Sequence, residues 1–231
     1  MTGLRARQKA LRHERILDAA LLLFRNAGYD AVRTEDIAAA AEVSVGTLYN
    51  YFENKGDLLL ALVTVEVEEV LEQGTAVVDG PPPSVVLALD LLIGGYYDHS
   101  LVYLTKELWR TAMALTVQAA ATPFSLRYTA LDRDLMDQVC DLVSALQRRG
   151  LARADVDAQA MGQVIFNNLN QMFIEFVKVE GMTVAALKEG VGRQNATLAK
   201  LLALPAGPVH PAAPVSHAGD LPCRTGGAAD F

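Results

Sequence analysis

The sequence predicts an all-α protein, with an N-terminal three-helix unit joined by a long helix to a larger C-terminal helical body. Three observations carry this. Apolar residues recur at helical spacing along most of the chain. No stretch alternates with period two for long enough to suggest a sheet. Cap residues and chain breakers fall between the periodic segments.

In chain order, Ile16, Ala20, Leu23, Phe24 and Ala27 form one helical stripe, and Gly28 follows where a helix C-terminus favours a left-handed residue. Thr34 is placed to cap a short second helix, Ile37 to Ala41, with Glu35 and Asp36 near the positive end of its dipole. Ser44 caps a third, Val45 to Tyr51, after about three turn residues, which is the helix-turn-helix rhythm. Asn54 opens a long fourth helix through Leu58, Leu62, Val65 and Glu69 that is expected to fade near Gly74. Asp79-Gly80-Pro81-Pro82-Pro83 cannot continue a helix and reads as a loop. Helical stretches are then expected at 84–97, 100–121, 124–149, 155–179 and 183–203, with breaks at Gly94-Gly95, Pro123, Gly150 and Gly181. From Pro205 the chain turns Pro, Ala, Gly and Ser-rich, so 205–231 reads as a disordered tail.

The net charge of −7 hides a gradient: residues 1–60 hold eight Lys or Arg and eight acids, whereas 61–231 hold twelve against nineteen. Five of the basic residues, against one acid, fall in the first fifteen positions. A basic arm before a neutral module and an acidic body is compatible with nucleic-acid binding by one end, and a solvated tail is the alternative. The two cysteines, Cys140 and Cys223, favour a reducing compartment, hence the cytoplasm. Arg12, Glu14, Arg15 and Asp18 interrupt any signal-like apolar run, and no run approaches a membrane span. With four histidines, two of them in the tail, and no nucleophile elbow, phosphate loop or metal-ligand spacing, neither an enzyme nor a resident cofactor or metal is expected.

The segment Arg33-Thr34-Glu35-Asp36-Ile37-Ala38-Ala39-Ala40-Ala41-Glu42-Val43-Ser44-Val45-Gly46-Thr47-Leu48-Tyr49-Asn50-Tyr51-Phe52-Glu53-Asn54-Lys55-Gly56-Asp57-Leu58 resembles the DNA-binding signature of the TetR family of transcriptional regulators. The resemblance covers about residues 10–60. It implies domains at 1–55 (helix-turn-helix with its basic arm) and 56–204 (ligand binding and dimerisation). Ser44 to Asn50 would form the recognition helix in the major groove. Val45 and Thr47 suit thymine methyls, Thr47 and Asn50 base edges, and Gly46 lets the backbone approach the duplex. Tyr49, Tyr51, Lys55, Thr34 and Arg33 would meet phosphates or flank them. Ile37, Ala38, Val43, Leu48, Phe24 and Phe52 would hold the module together. The chain departs from the family at Glu42, where glycine is frequent, so slight backbone strain is expected, and at Tyr51, where histidine is frequent.

Beyond residue 60 the resemblance implies only a helical bundle with an effector cavity, a homodimer interface built from the last two helices, and a double-stranded operator and a small apolar or amphipathic molecule as partners. No membrane partner is implied. Repression is the expected mode, and activation or action through protein contacts the alternative. Candidate cavity residues are Tyr96, Tyr103, Glu107, Arg110, Met113, Tyr128, Phe166 and Asn170. Tyr103, Glu107 and Arg110 share one helical face by spacing, which suits either ligand orientation or an exposed ion pair beside a surface tyrosine. Dimer candidates are Val164, Asn168 and Gln171 on a mixed face of 155–179, and the near-heptad Val184, Leu187, Val191 and Leu198, for which burial within one subunit is the alternative.

Overall fold

A computed structural model describes residues 2–204. Among these residues there are nine helices: α1 (Thr2–Ala27), α2 (Thr34–Ala40), α3 (Val45–Tyr49), α4 (Lys55–Asp79), α5 (Val85–His99), α6 (Lys106–Gln118), α7 (Pro123–Arg148), α8 (Ala158–Lys178) and α9 (Val184–Leu202). The all-α expectation holds, and the one non-helical pairing is an isolated bridge between Ala152 and Ala203. The expected tail, 205–231, lies outside the described residues.

Helices α1 to α3 and the first turn of α4 form a head around Ile16, Ala20, Phe24, Ile37, Leu48, Phe52 and Leu58, all buried. Local chemistry sets its turns. Gly28 adopts φ +81°, which glycine takes without penalty. Ser44 and Asn54 cap α3 and α4 by accepting from the N–H groups of Thr47 and Asp57. The cap of α2 is Arg33 rather than Thr34, and the Asp36 carboxylate accepts the Arg33 backbone N–H at 3.3 Å. The basic arm is not a separate tail but the first half of α1. With Gly3 at its edge, the run from Leu4 to Arg15 holds mostly strong helix formers and no proline, so nothing stops the helix.

The body packs α7 against α4 and α8, and α5 against α9. α4 does not fade at Gly74. A Cβ at that position would come within 2.8 Å of Leu92 Cδ1 on α5 and would overlap the Gln138 side chain on α7, so the glycine marks a close crossing and the helix runs on to Asp79. Gln138 straps the same crossing by accepting from the Tyr96 hydroxyl at 2.6 Å and donating to the Leu71 carbonyl at 2.7 Å. α5 likewise passes through Gly94-Gly95 unbroken, with Gly94 buried against the side chain of Lys188 on α9. Residues 100–105, expected to be helical, instead form a turn that ends at the Thr105 cap of α6. α7 and α8 approach closely at Gly162, where a Cβ would stand 2.6 Å from the Cα of Cys140.

These glycines make opposite predictions. Gly162→Ala forces two backbones apart and should lower unfolding free energy in urea by about 1–3 kcal/mol. Gly95→Ala, with nothing within 4 Å of the added carbon, should raise it by roughly 0.5–1 kcal/mol. Equal responses would show that α7 and α8 do not approach as described.

Candidate nucleic-acid interface and internal cavity

α3 is five residues long and is held by its cap. The Ser44 hydroxyl accepts the Thr47 N–H at 3.1 Å and lies 2.8 Å from the Thr47 hydroxyl. Leu48 is fully buried and pins the helix to the head, while Ser44, Gly46 and Asn50 are exposed and Val45 and Thr47 half-exposed. No heavy atom lies within 4 Å of a Cβ built at Gly46, so its surface is open. Tyr49 is 47% exposed, not core, and its hydroxyl lies 3.2 Å from that of Thr34, which puts both on the α2–α3 face. Arg33 is exposed beside them, its guanidinium 3.5 Å from Glu35. Glu42 adopts φ +51°, the strained geometry expected of a non-glycine there. Arg15 secures that turn by donating to the Ala41 carbonyl at 2.6 Å and to Glu42 at 2.9 Å.

Two expected phosphate contacts are placed differently. The Lys55 ammonium donates to the carbonyls of Tyr29 and Val32 at 2.7 and 3.1 Å, with that of Asp30 at 3.4 Å, and sits 4.3 Å above the Tyr29 ring. Its donors are committed to the turn after α1, and a phosphate would have to displace them. Tyr51 is half-buried near His13 and lines the groove between the head and the α6–α7 turn, away from Tyr49.

In the body, four of the eight cavity candidates line two internal chambers. Tyr128, Phe166 and Asn170 line a chamber of about 60 Å³ among α4, α6, α7 and α8. Tyr96 lines a second of about 60 Å³ beside α5. Trp109, Val67, Leu135 and Phe173 are common to both chambers. The shared helical face of Tyr103, Glu107 and Arg110 does not exist, because Tyr103 precedes α6 and the three side chains diverge. Tyr103 donates to Glu69 at 2.7 Å, Glu107 accepts the Tyr29 N–H at 3.2 Å, and Arg110 bonds the Val177 carbonyl and Glu180 at the end of α8. Met113 packs at the core margin and lines neither chamber.

The sequence reading missed the acids. Glu66, 2% exposed, faces the second chamber and lies 2.6 Å from His99 Nδ1, while Glu69 lies 3.0 Å from Nε2. Burial pushes the Glu66 carboxyl up, and its bonds to His99 and the Tyr103 N–H oppose that. Asp132 lines the first chamber, and burial pushes its carboxyl up to about 6. Its only sequence signal is an acid spaced like Tyr128 and Leu135, which the exposed Asp134 and Asp137 beside it obscure.

The α9 stripe belongs to the core of its own subunit. Leu187 and Val191 are buried and Val184 and Leu198 half-buried, because α5 and α8 cover that face. Val164 is 51% exposed and Gln171 is exposed on α8, and Asn168 beside them holds a buried Nδ2 with no hydrogen-bond partner among the described residues. Among the described residues no cluster of His, Cys, Asp and Glu could hold a metal ion, and no helix is long and apolar enough to cross a membrane.

Lys55→Met should lower the thermal midpoint, since it leaves carbonyls unpaired at about 1–3 kcal/mol. An unchanged midpoint with a shallower salt dependence of DNA binding would return the residue to phosphate contact. For Asp132, the folded value lies above the unfolded one near 4, so the folded chain binds more protons and stability falls as pH rises from about 4 to 6. Asp132→Asn should therefore raise stability at neutral pH by on the order of 2 kcal/mol, with the gain fading toward pH 4. A gain independent of pH, seen in melts across that range, would contradict the burial of the charge.

Residues 16–62 match the family model described as bacterial regulatory proteins, tetR family. The chain is 31% identical over 156 residues to the HTH-type transcriptional repressor KstR of Rhodococcus jostii, spanning 67% of each protein. Two further KstR proteins are matched over 29% and 60% of their lengths. Among solved structures, a TetR-family regulator from Mesorhizobium loti superposes with a TM-score of 0.70 at 18% identity, covering 85% of this chain and 98% of that one. The FadR repressor of Thermus thermophilus in complex with lauroyl-CoA gives 0.59 at 24% identity, covering 84% and 97%. With its helix-turn-helix head, its all-helical body and a relative of this identity and coverage, the chain belongs to the TetR family of bacterial transcriptional regulators.

Proposed function

We propose that the protein is a homodimeric repressor whose α3 helices enter successive major grooves of a palindromic operator, and which a small molecule held in the body releases. The observation that carries the DNA reading is the cap-locked α3, which presents Ser44, Gly46, Thr47 and Asn50 to solvent from a fully packed head. Residues 1–55 act as the DNA-binding unit and 56–204 as the effector and dimerisation unit. Thr47 and Asn50 read base edges. Val45 meets a thymine methyl, and Thr34, Tyr49 and Arg33 address the flanking backbone. With Lys55 engaged elsewhere, the sequence-independent attraction falls to exposed bases of α1 such as Arg7, Lys9 and Arg12. Dimerisation uses the α8 face of Val164, Asn168 and Gln171, where Val164 and Gln171 are exposed and no other helix among the described residues covers them.

Repression is supported by the relatives' printed names, and an effector by the acyl-CoA in the T. thermophilus structure. Each chamber of about 60 Å³ is several-fold smaller than the roughly 300 Å³ or more of a small-molecule site. An effector must therefore open the bundle, and α4 is both a chamber wall and the helix that carries the head. The open form binds effector better and operator worse, which is population shift by differential affinity.

The test selects operator DNA from a random pool and compares variants by gel shift. Thr47→Ala with Asn50→Ala should weaken binding by about 10-fold or more while sedimentation still reports a dimer. Wild-type affinity in that variant would refute the assignment of α3.

A further inference from the structure

The two chambers each contain a carboxylate, and the chain treats them differently. Glu66 is met by His99 and by the Tyr103 N–H. Asp132 has no hydrogen bond or ion pair among the described residues. It faces the rings of Tyr128, Phe166 and Phe173 and the side chains of Val63 and Val67, with the Asn170 amide the one other polar side chain of the aliphatic and aromatic wall apart from the Tyr128 hydroxyl and the Trp109 indole. The indole N–H is already spent on the Ser100 carbonyl at 2.6 Å, and no basic side chain lines the chamber. Asp132 is half-buried at the chamber wall, so its carboxylate keeps part of its hydration, while the apolar surroundings still disfavour its charge. Among the described residues no side chain engages it, so a donor entering the chamber would find this carboxylate free.

We propose that Asp132 is the specificity-determining residue of the effector cavity, selecting an apolar molecule that carries a hydroxyl or primary ammonium group and rejecting one that ends in a carboxylate. This rests on the reading of the chambers as the effector site. A donor placed against Asp132 forms a charge-assisted hydrogen bond, while its hydrocarbon part displaces nothing polar from the chamber walls. A second carboxylate there meets like charge in low dielectric.

Trp109, the single tryptophan of the chain, lines both chambers and reports their occupancy by its emission. Hexylamine, 1-hexanol and hexanoate, matched in length, are titrated into the full chain at neutral pH. Hexylamine and hexanol should perturb Trp109 with affinities at least about 10-fold tighter than hexanoate. Asp132→Asn should abolish the preference for hexylamine over hexanoate while retaining hexanol, because the amide oxygen still accepts. Asp134→Asn, an exposed neighbour, should leave the order unchanged. If no probe alters Trp109 emission, the chambers are not the effector site and the proposal falls with that reading. If all three bind alike, or Asp132→Asn preserves the order, the effector site stands and the role of Asp132 is overturned.

Discussion

The Lys55 ammonium, seated on the carbonyls that follow α1, is the interaction on which the rest of this structure depends. The turn between α1 and α2 leaves carbonyls that no helix satisfies. One side chain from the first position of α4 takes them up and stacks on Tyr29. The head is thereby fixed to α4, so the orientation of α3 becomes a property of a helix whose other end lies in the body. Glu107, accepting the Tyr29 N–H, and Arg25, donating to the Val102 carbonyl, add links from α6 and its preceding turn. Lys106, next to Glu107 at the start of α6, repeats the device on the turn between α8 and α9, its ammonium on the Val179 and Met182 carbonyls and over Phe176.

From that joint α4 runs through the body as its most constrained element. Its buried stripe of Leu58, Leu62, Val63, Val67 and Val70 packs on the core, and Gly74 lets α5 and α7 close on it. Glu66 and Glu69 tie its middle to His99 and Tyr103. A helix held by polar contacts at defined points has a small number of alternative seats rather than a continuum, which is what an on-off response needs. The chambers lie against this stretch, so filling them acts on the same helix that carries the head.

Much of the head was legible because its determinants are local. Ser44 and Asn54 are caps within three residues of their partners, Gly28 occupies a left-handed position, and Glu42 sits where the turn demands one. What sequence could not show depends on neighbours far along the chain. Gly94-Gly95 read as a break because glycine weakens an isolated helix, but packing against α9 supports it there. Tyr103, Glu107 and Arg110 share a spacing, yet the Thr105 cap starts the helix after the first of them and each finds a different partner. In the α9 stripe Leu187 and Val191 are covered by α5 and α8 of the same subunit, while Val184 and Leu198 stay half-buried. The committed state of Lys55 and the isolation of Asp132 are invisible in a string, since each is defined by what surrounds it.

Cavity and head share α4, and in the proposed mechanism occupancy of one moves the other. Spin labels at Arg12→Cys in a Cys223→Ser background report the distance between the two heads of the proposed dimer by pulsed electron resonance. Adding 1-hexanol at a concentration that saturates the Trp109 response should displace that distance by about 2 Å or more. An unchanged distribution with Trp109 fully perturbed would contradict the account.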